Sequence, residues 1–262
     1  MFTTVIVPLD GSTLSEAALA PARAVATRLA VPIRLLTSSW GARAEDGQDY
    51  LDRMAADLDL PGTTTVAVAD RFAATAITES TLNDVAPLVC MATHGRTGIG
   101  RALLGSTAEE VIRSIEHPVL LVGPASAPLP AGGPTELIIT IDGSATSASA
   151  VDAAAEVAKT VGLTVVVVTV AEAGVADDPG GVDEVVERFR GAGLEARSEA
   201  LIGKDPAAAI AAFVRSRPAP LVCMATHGRG GIERTALGSV AMKVVHQVTC
   251  PVLVVRPPSA EG

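Results

Sequence analysis

Two short patterns in this 262-residue chain have the residue types and spacing to hold an anion. In one, an aspartate that ends an apolar run is followed by Gly-Ser, as Asp10-Gly11-Ser12 and again as Asp142-Gly143-Ser144. In the other, Thr93-His94-Gly95 and Thr226-His227-Gly228 each lead into nine residues that close on Gly105-Ser106 or Gly238-Ser239. A loop that ends at a helix start presents backbone N–H groups and the positive end of the helix dipole, both of which attract phosphate. Glycine lets the backbone approach an anion closely, and a serine hydroxyl adds a donor. Arg96, Arg101, Arg229 and Arg234 add local positive charge to a chain whose formal net charge is −9. The combination points to a polyphosphate ligand.

Each of these residues also has a plainer reading. Ser106-Thr107-Ala108-Glu109 fits a capping box, in which Ser106 caps a helix and Glu109 reaches back to it. Asp10 and Asp142 can be helix caps. His94 and His227 read more simply as satisfied loop residues than as phosphate donors or acid–base groups, and Cys90 and Cys223 as core residues. In the second half Met242 stands in place of Glu109 and Lys243 follows, so that site is expected to repel phosphate less. Signatures of committed catalysis are missing: there is no G-x-S-x-G elbow, no G-x-x-x-x-G-K-[ST] loop and no H-E-x-x-H. Asp10, His94 and Ser106 can form a hydrolytic trio, but a binding site brings the same residues together.

The elements that must position these residues come from a repeat. Leu88 to Arg96 (LVCMATHGR) recurs unchanged at Leu221 to Arg229, and the other matching blocks keep their order at an offset of 132 or 133 residues. This is a duplication. Residues 1–124 and 135–262 are expected to form two domains, with 125–134 as a linker inside the Pro-, Gly- and Ala-rich stretch from Gly123 to Pro134. In the first half the periodicity predicts strands at Thr3 to Leu9, Pro32 to Ser38, Thr64 to Ala69, Pro87 to Ala92 and Val119 to Val122. It predicts helices at Ser12 to Ala30, near Asp49 to Leu60, near Ala73 to Asp84 and from Ser106. Such alternation implies an α/β fold of two tandem doubly wound domains, each a five-stranded parallel sheet with helices on both faces and its own core. Ligands of such sheets sit beyond the carboxyl ends of the strands, where strand order reverses.

Composition agrees. Apolar residues make up 48% of the chain and aromatics only 2%, so the cores must be Val, Ile, Leu and Ala, as in parallel sheets covered by Ala-rich helices. The acidic balance argues against general binding to nucleic acid or anionic membranes. Three cysteines in apolar surroundings, with no metal-ligand spacing, suit a reducing compartment. Without a signal-peptide pattern or a long apolar run, the expected location is the cytoplasm.

A first strand ending in Val-Pro-Leu-Asp-Gly-Ser, a Gly-x9-Gly-Ser loop after the fourth strand and a final Pro-Val-Leu strand make the chain resemble the universal stress protein family. The likeness covers both halves and is weakest from Trp40 to Thr64. It implies a Rossmann-like site for ATP, with magnesium. Asp10 would lie at the adenosine end, the end of the second strand would help to hold adenine, and Gly95, Gly105 and Ser106 would hold the phosphates. In the second half the same roles fall to Asp142, Gly228, Gly238 and Ser239. Ala92 and Ala225 stand where the family motif has its first glycine, so each loop keeps two glycines of three. The first half also has Asp70-Arg71-Phe72 where the second has Gly203-Lys204-Asp205-Pro206, the more typical sequence. The resemblance implies a nucleotide-responsive regulator of stress adaptation that acts on a protein partner, and at most a weak ATPase. A scaffold that has lost nucleotide binding is the alternative. Family dimers pair their last strands, so Val119–Val122 and Val252–Val255 are expected to pair within the chain as a pseudo-dimer, with a homodimer as a further option.

Overall fold

The computed structural model describes residues 2–39, 44–95, 104–130, 132–171, 181–226 and 237–256. The first half runs β1 (Thr4–Pro8), α1 (Thr13–Glu16), α2 (Leu19–Leu29), β2 (Ile33–Ser39), α3 (Ala44–Leu58), β3 (Thr64–Ala69), α4 (Ala73–Thr81), β4 (Pro87–Ala92), α5 (Ser106–Ser114) and β5 (Val119–Val122). The second repeats the pattern as β6 (Glu136–Thr140), α6 (Ala145–Ala148), α7 (Ala150–Val161), β7 (Thr164–Ala171), α8 (Val182–Gly191), β8 (Ala196–Ile202), α9 (Pro206–Arg215), β9 (Pro220–Ala225), α10 (Ser239–Gln247) and β10 (Val252–Val255).

The inner strands were legible because they are short apolar runs buried along most of their length, whereas the edge strands β3 and β8 leave part of their residues in solvent. Helix ends were harder. The single helix expected over Ser12 to Ala30 is two, and the second half divides in the same way into α6 and α7 with no proline there, so the break belongs to the repeated fold and not to Pro21. The break places Pro21 in the first turn of α2, where a missing N–H costs little. The helix expected near Asp49 starts earlier, at Ala44.

The ten described strands form one sheet, in the order β3-β2-β1-β4-β5-β10-β9-β6-β7-β8. Within each half every pairing is parallel. The halves meet at β5 and β10, which run antiparallel with Val252 opposite Leu121, Leu253 opposite Leu120 and Val254 opposite Val119. The expected internal pairing of last strands is therefore present, and neither of these apolar strands is left as an edge.

The cores depart from expectation. Instead of one core per half there is one per sheet face, and each runs through both halves. Val5, Val7 and Leu9 share one face with residues of α2, α3, α7 and α8, while Ile6 points to the other with α4, α5, α9 and α10. The sheet is continuous across β5 and β10, so side chains of alternating parity merge along each face. The connection between the halves is pinned: Ala127 N–H donates to the Thr249 carbonyl at 2.9 Å, and Arg28 to the Pro134 carbonyl at 3.1 Å. Among the described residues, no helix is long and apolar enough to cross a membrane.

Strand order reverses between β1 and β4 in the first half and between β6 and β9 in the second. Asp10 and Asp142 follow β1 and β6, while Thr93 and Thr226 follow β4 and β9, so the two sequence patterns are neighbours at each reversal point.

Candidate functional site

In the first half the carboxyl ends of β1, β2 and β4 and the starts of α4 and α5 enclose a cleft of about 230 Å³. Asp10, Gly95, Gly105 and Ser106, separated by up to 96 positions in the chain, all line it. Its floor toward β2 and α4 is apolar, made by Leu36, Ile77 and Met91.

Asp10 is not the cap of the helix after it. Ser12 is the cap and accepts the Ser15 N–H at 3.2 Å. Asp10 holds that cap: its Oδ1 accepts the Ser12 N–H at 2.9 Å and the Ser12 hydroxyl at 2.6 Å. Asp142 does the same for Ser144, at 3.0 and 2.6 Å. With Oδ1 spent on the turn, Oδ2 faces Gly95, so closely that a side chain there would collide with it. Gly95 is thus required by space in the site.

The glycine loop is closed by a residue of the pattern to which the sequence assigned no role of its own. The Thr93 carbonyl accepts the Gly105 N–H at 2.8 Å, and Thr226 accepts from Gly238 at 2.6 Å, so each loop begins and ends at one point. A Cβ on Gly105 would lie 2.8 Å from the Thr93 oxygen, which explains the glycine. Both threonines are buried, and their place in the repeated nine-residue block was the available signal.

The capping box is not formed. Gly105 is the N-cap of α5 and Ser106 its first residue, while Glu109 pairs with Arg113 at 2.8 Å. The first helical bond runs from the Glu109 N–H to the Gly105 carbonyl, which leaves the amides of Ser106, Thr107 and Ala108 ahead of it. An exposed hydroxyl with no capping duty and a turn of leading amides on the cleft can donate to an anion. In the second half Gly238 and Ser239 start α10 in the same way. Lys243 pairs there with Asp205 at 3.4 Å, so its charge, like that of Glu109, is partly compensated. Ala92 and Ala225 end their strands without positive φ, so alanine strains neither loop. Gly228, His227 and the arginines Arg96, Arg101, Arg229 and Arg234 lie outside the described residues.

His94 links the halves. Its Nδ1 lies 3.0 Å from the Thr93 hydroxyl, and its ring meets that of His246 on α10 edge to face at 5.5 Å. The Cys90, Cys223 and Cys250 thiols are buried; burial pushes those of Cys223 and Cys250 up to about 12 and that of Cys90 higher still. All three are core residues, as expected for Cys90 and Cys223.

Comparison with known proteins gives the family and the fold. The model of the "Universal stress protein family" matches residues 1–123 and 135–256. The universal stress protein Rv2005c of Mycobacterium tuberculosis is 27% identical over 187 residues, covering 67% of this chain and 63% of that protein. A universal stress protein of Mycolicibacterium smegmatis is 32% identical over 187 residues, covering 66% of this chain and 62% of its own. The matched stretch thus spans less than two thirds of these curated relatives. A crystal structure of a universal stress protein from Archaeoglobus fulgidus superposes over 98% of this chain and 97% of its own, with a TM-score of 0.74 at 19% identity, and shares the fold.

Proposed function

The chain belongs to the universal stress protein family, and from that premise we propose that it binds ATP at the reversal point of each half and acts as a nucleotide-responsive regulator. The observation that carries this reading is the meeting of Asp10, Gly95, Gly105 and Ser106 in one cleft with an apolar end and an amide-lined end. The apolar end, between Leu36, Ile77 and Met91, suits a base; the start of α5 suits phosphates. Magnesium, brought with the triphosphate, would offset its charge. The equivalent positions Asp142, Gly228, Gly238 and Ser239 would serve the second half. Occupancy would change the surface presented at each site, and a protein partner in the cytoplasm would read that surface.

The test is to denature the purified protein and identify any released small molecule, then to titrate Mg-ATP by calorimetry into wild type, Gly105→Glu and Gly238→Glu. Two sites in wild type, with one lost in each variant, is the expected result. A wild type that releases no nucleotide and takes up none would replace this reading with the scaffold.

A further inference from the structure

The two halves build the turn that presents the aspartate in the same way and then brace it differently. Asp10 leads into α1, a helix of four residues, too short to hold itself and dependent on side-chain bonds. Besides the bonds to Ser12, the Asp10 N–H donates to the Ser15 hydroxyl at 3.2 Å, and that hydroxyl donates to the Ser12 carbonyl at 2.8 Å. Ser147 makes the same two bonds beside Asp142, at 3.3 and 2.9 Å.

The first half adds a partner from another element. Tyr50, on α3, donates its hydroxyl at 2.9 Å to Oε1 of Glu16, the last residue of α1. Burial, then the Glu16 carboxylate, raise the phenol above its ordinary range, so it stays protonated and keeps donating. The Asp10 charge acts on the phenol in the same direction, and the Gly11 N–H faces the phenol oxygen. One hydroxyl therefore meets both ends of the segment that follows Asp10. The helix α3 is already anchored to the sheet by buried Leu51 and Leu58, so this bond serves α1 more than α3. Tyr50 is the chain's single tyrosine, and Ala148 occupies the place of Glu16 in the repeat, so the second half cannot build this brace. We propose that Tyr50 and Glu16 are positioning residues of the first site: their bond sets the Asp10 turn before the ligand arrives, an advantage that the second site lacks. This rests on the nucleotide reading above and makes the two sites unequal. A hydrogen bond to a carboxylate is stronger than one between neutral groups, and a turn fixed during folding leaves less to be ordered on binding.

The test titrates Mg-ATP by calorimetry into two full-length chains: Gly238→Glu, in which only the first site reports, and Gly105→Glu, in which only the second does. Adding Tyr50→Phe or Glu16→Ala to the first chain should weaken ATP about fivefold. Glu16→Gln, whose amide oxygen still accepts the phenol hydroxyl, should keep the parent's affinity. None of the three should alter binding in the second chain. A merely structural brace would lower the melting temperature of Tyr50→Phe and leave its first-site affinity equal to the parent's, which overturns the positioning role and leaves the nucleotide reading intact. An equal loss at both sites, or a Glu16→Gln chain as weak as Glu16→Ala, overturns that role in the same way. A Gly238→Glu chain that takes up no Mg-ATP overturns the nucleotide reading of this site and the positioning role with it.

Discussion

The carboxylate of Asp10, delivered by β1, fills the space that a side chain on Gly95, delivered by the neighbouring β4, would need. Gly95→Ala should therefore push Asp10 aside and weaken Mg-ATP at the first site by about tenfold, or about 1.4 kcal/mol. Its melting temperature should fall as well. Adding Asp10→Ala should restore the melting temperature but not the binding, because the space is then vacant and the carboxylate gone. A thermal-shift and calorimetry cycle over the four proteins measures this non-additivity.

The two serines at helix starts should behave oppositely. Ser12 caps α1 and is held by Asp10, so Ser12→Ala should cost about 1 kcal/mol in urea unfolding. Ser106 caps nothing, so Ser106→Ala should change stability by less than about 0.5 kcal/mol while lowering nucleotide affinity. A large stability loss at Ser106 would mean that its role is structural.

Leu120 and Leu253 face each other where the halves join. Proline at 253 removes a ladder donor from the middle of the sheet and should cost more than about 3 kcal/mol. Light scattering should also register association through the exposed edges of β5 and β10. A monomer with the wild-type midpoint would show that this pairing is dispensable.

Gly123, which follows β5, packs so closely on α10 that a Cβ would run into the Val245 carbonyl. Gly123→Ala should cost about 1–3 kcal/mol by forcing that helix outward. The loss should appear as a lower denaturant midpoint, and the β5–β10 junction should be the first region to exchange amide protons.

The buried thiols predict the alkaline limit of stability. Burial raises the Cys223 and Cys250 pKa from 9.0 to about 12, so above pH 9 the unfolded chain gives up protons that the folded chain keeps. Their contribution to stability is complete below pH 9 and is lost as the pH rises toward 12. Melting temperatures measured from pH 8 to 11 should fall, and less steeply in Cys223→Ala. Below pH 9 all three thiols should resist labelling until the protein is denatured.

The order of the elements, the duplication, and the placement of Asp10, Gly95, Gly105 and Ser106 at strand ends and a helix start were legible in the residues alone. These features depend on patterns a few residues long, and on turn chemistry that glycine, proline and serine carry wherever they occur. The helix break before Leu19 was missed, because the apolar periodicity runs through it.

What depends on distant partners was not legible. Ser106 followed by Glu109 reads as a capping box in any context, and only the folded loop, closed from Thr93 to Gly105, moved the cap one residue back and left the hydroxyl on the cleft. Whether Gly95 serves a turn or a neighbour required knowing that Asp10 lies beside it. The joining of β5 to β10 turned two expected cores into two faces shared by both halves, because a strand's pleat passes side chains alternately to both faces of whatever sheet it enters. Sequence alone therefore determined which chemical groups reach the strand ends, and tertiary structure decided which of them meet, since that depends on pairings between segments far apart in the chain.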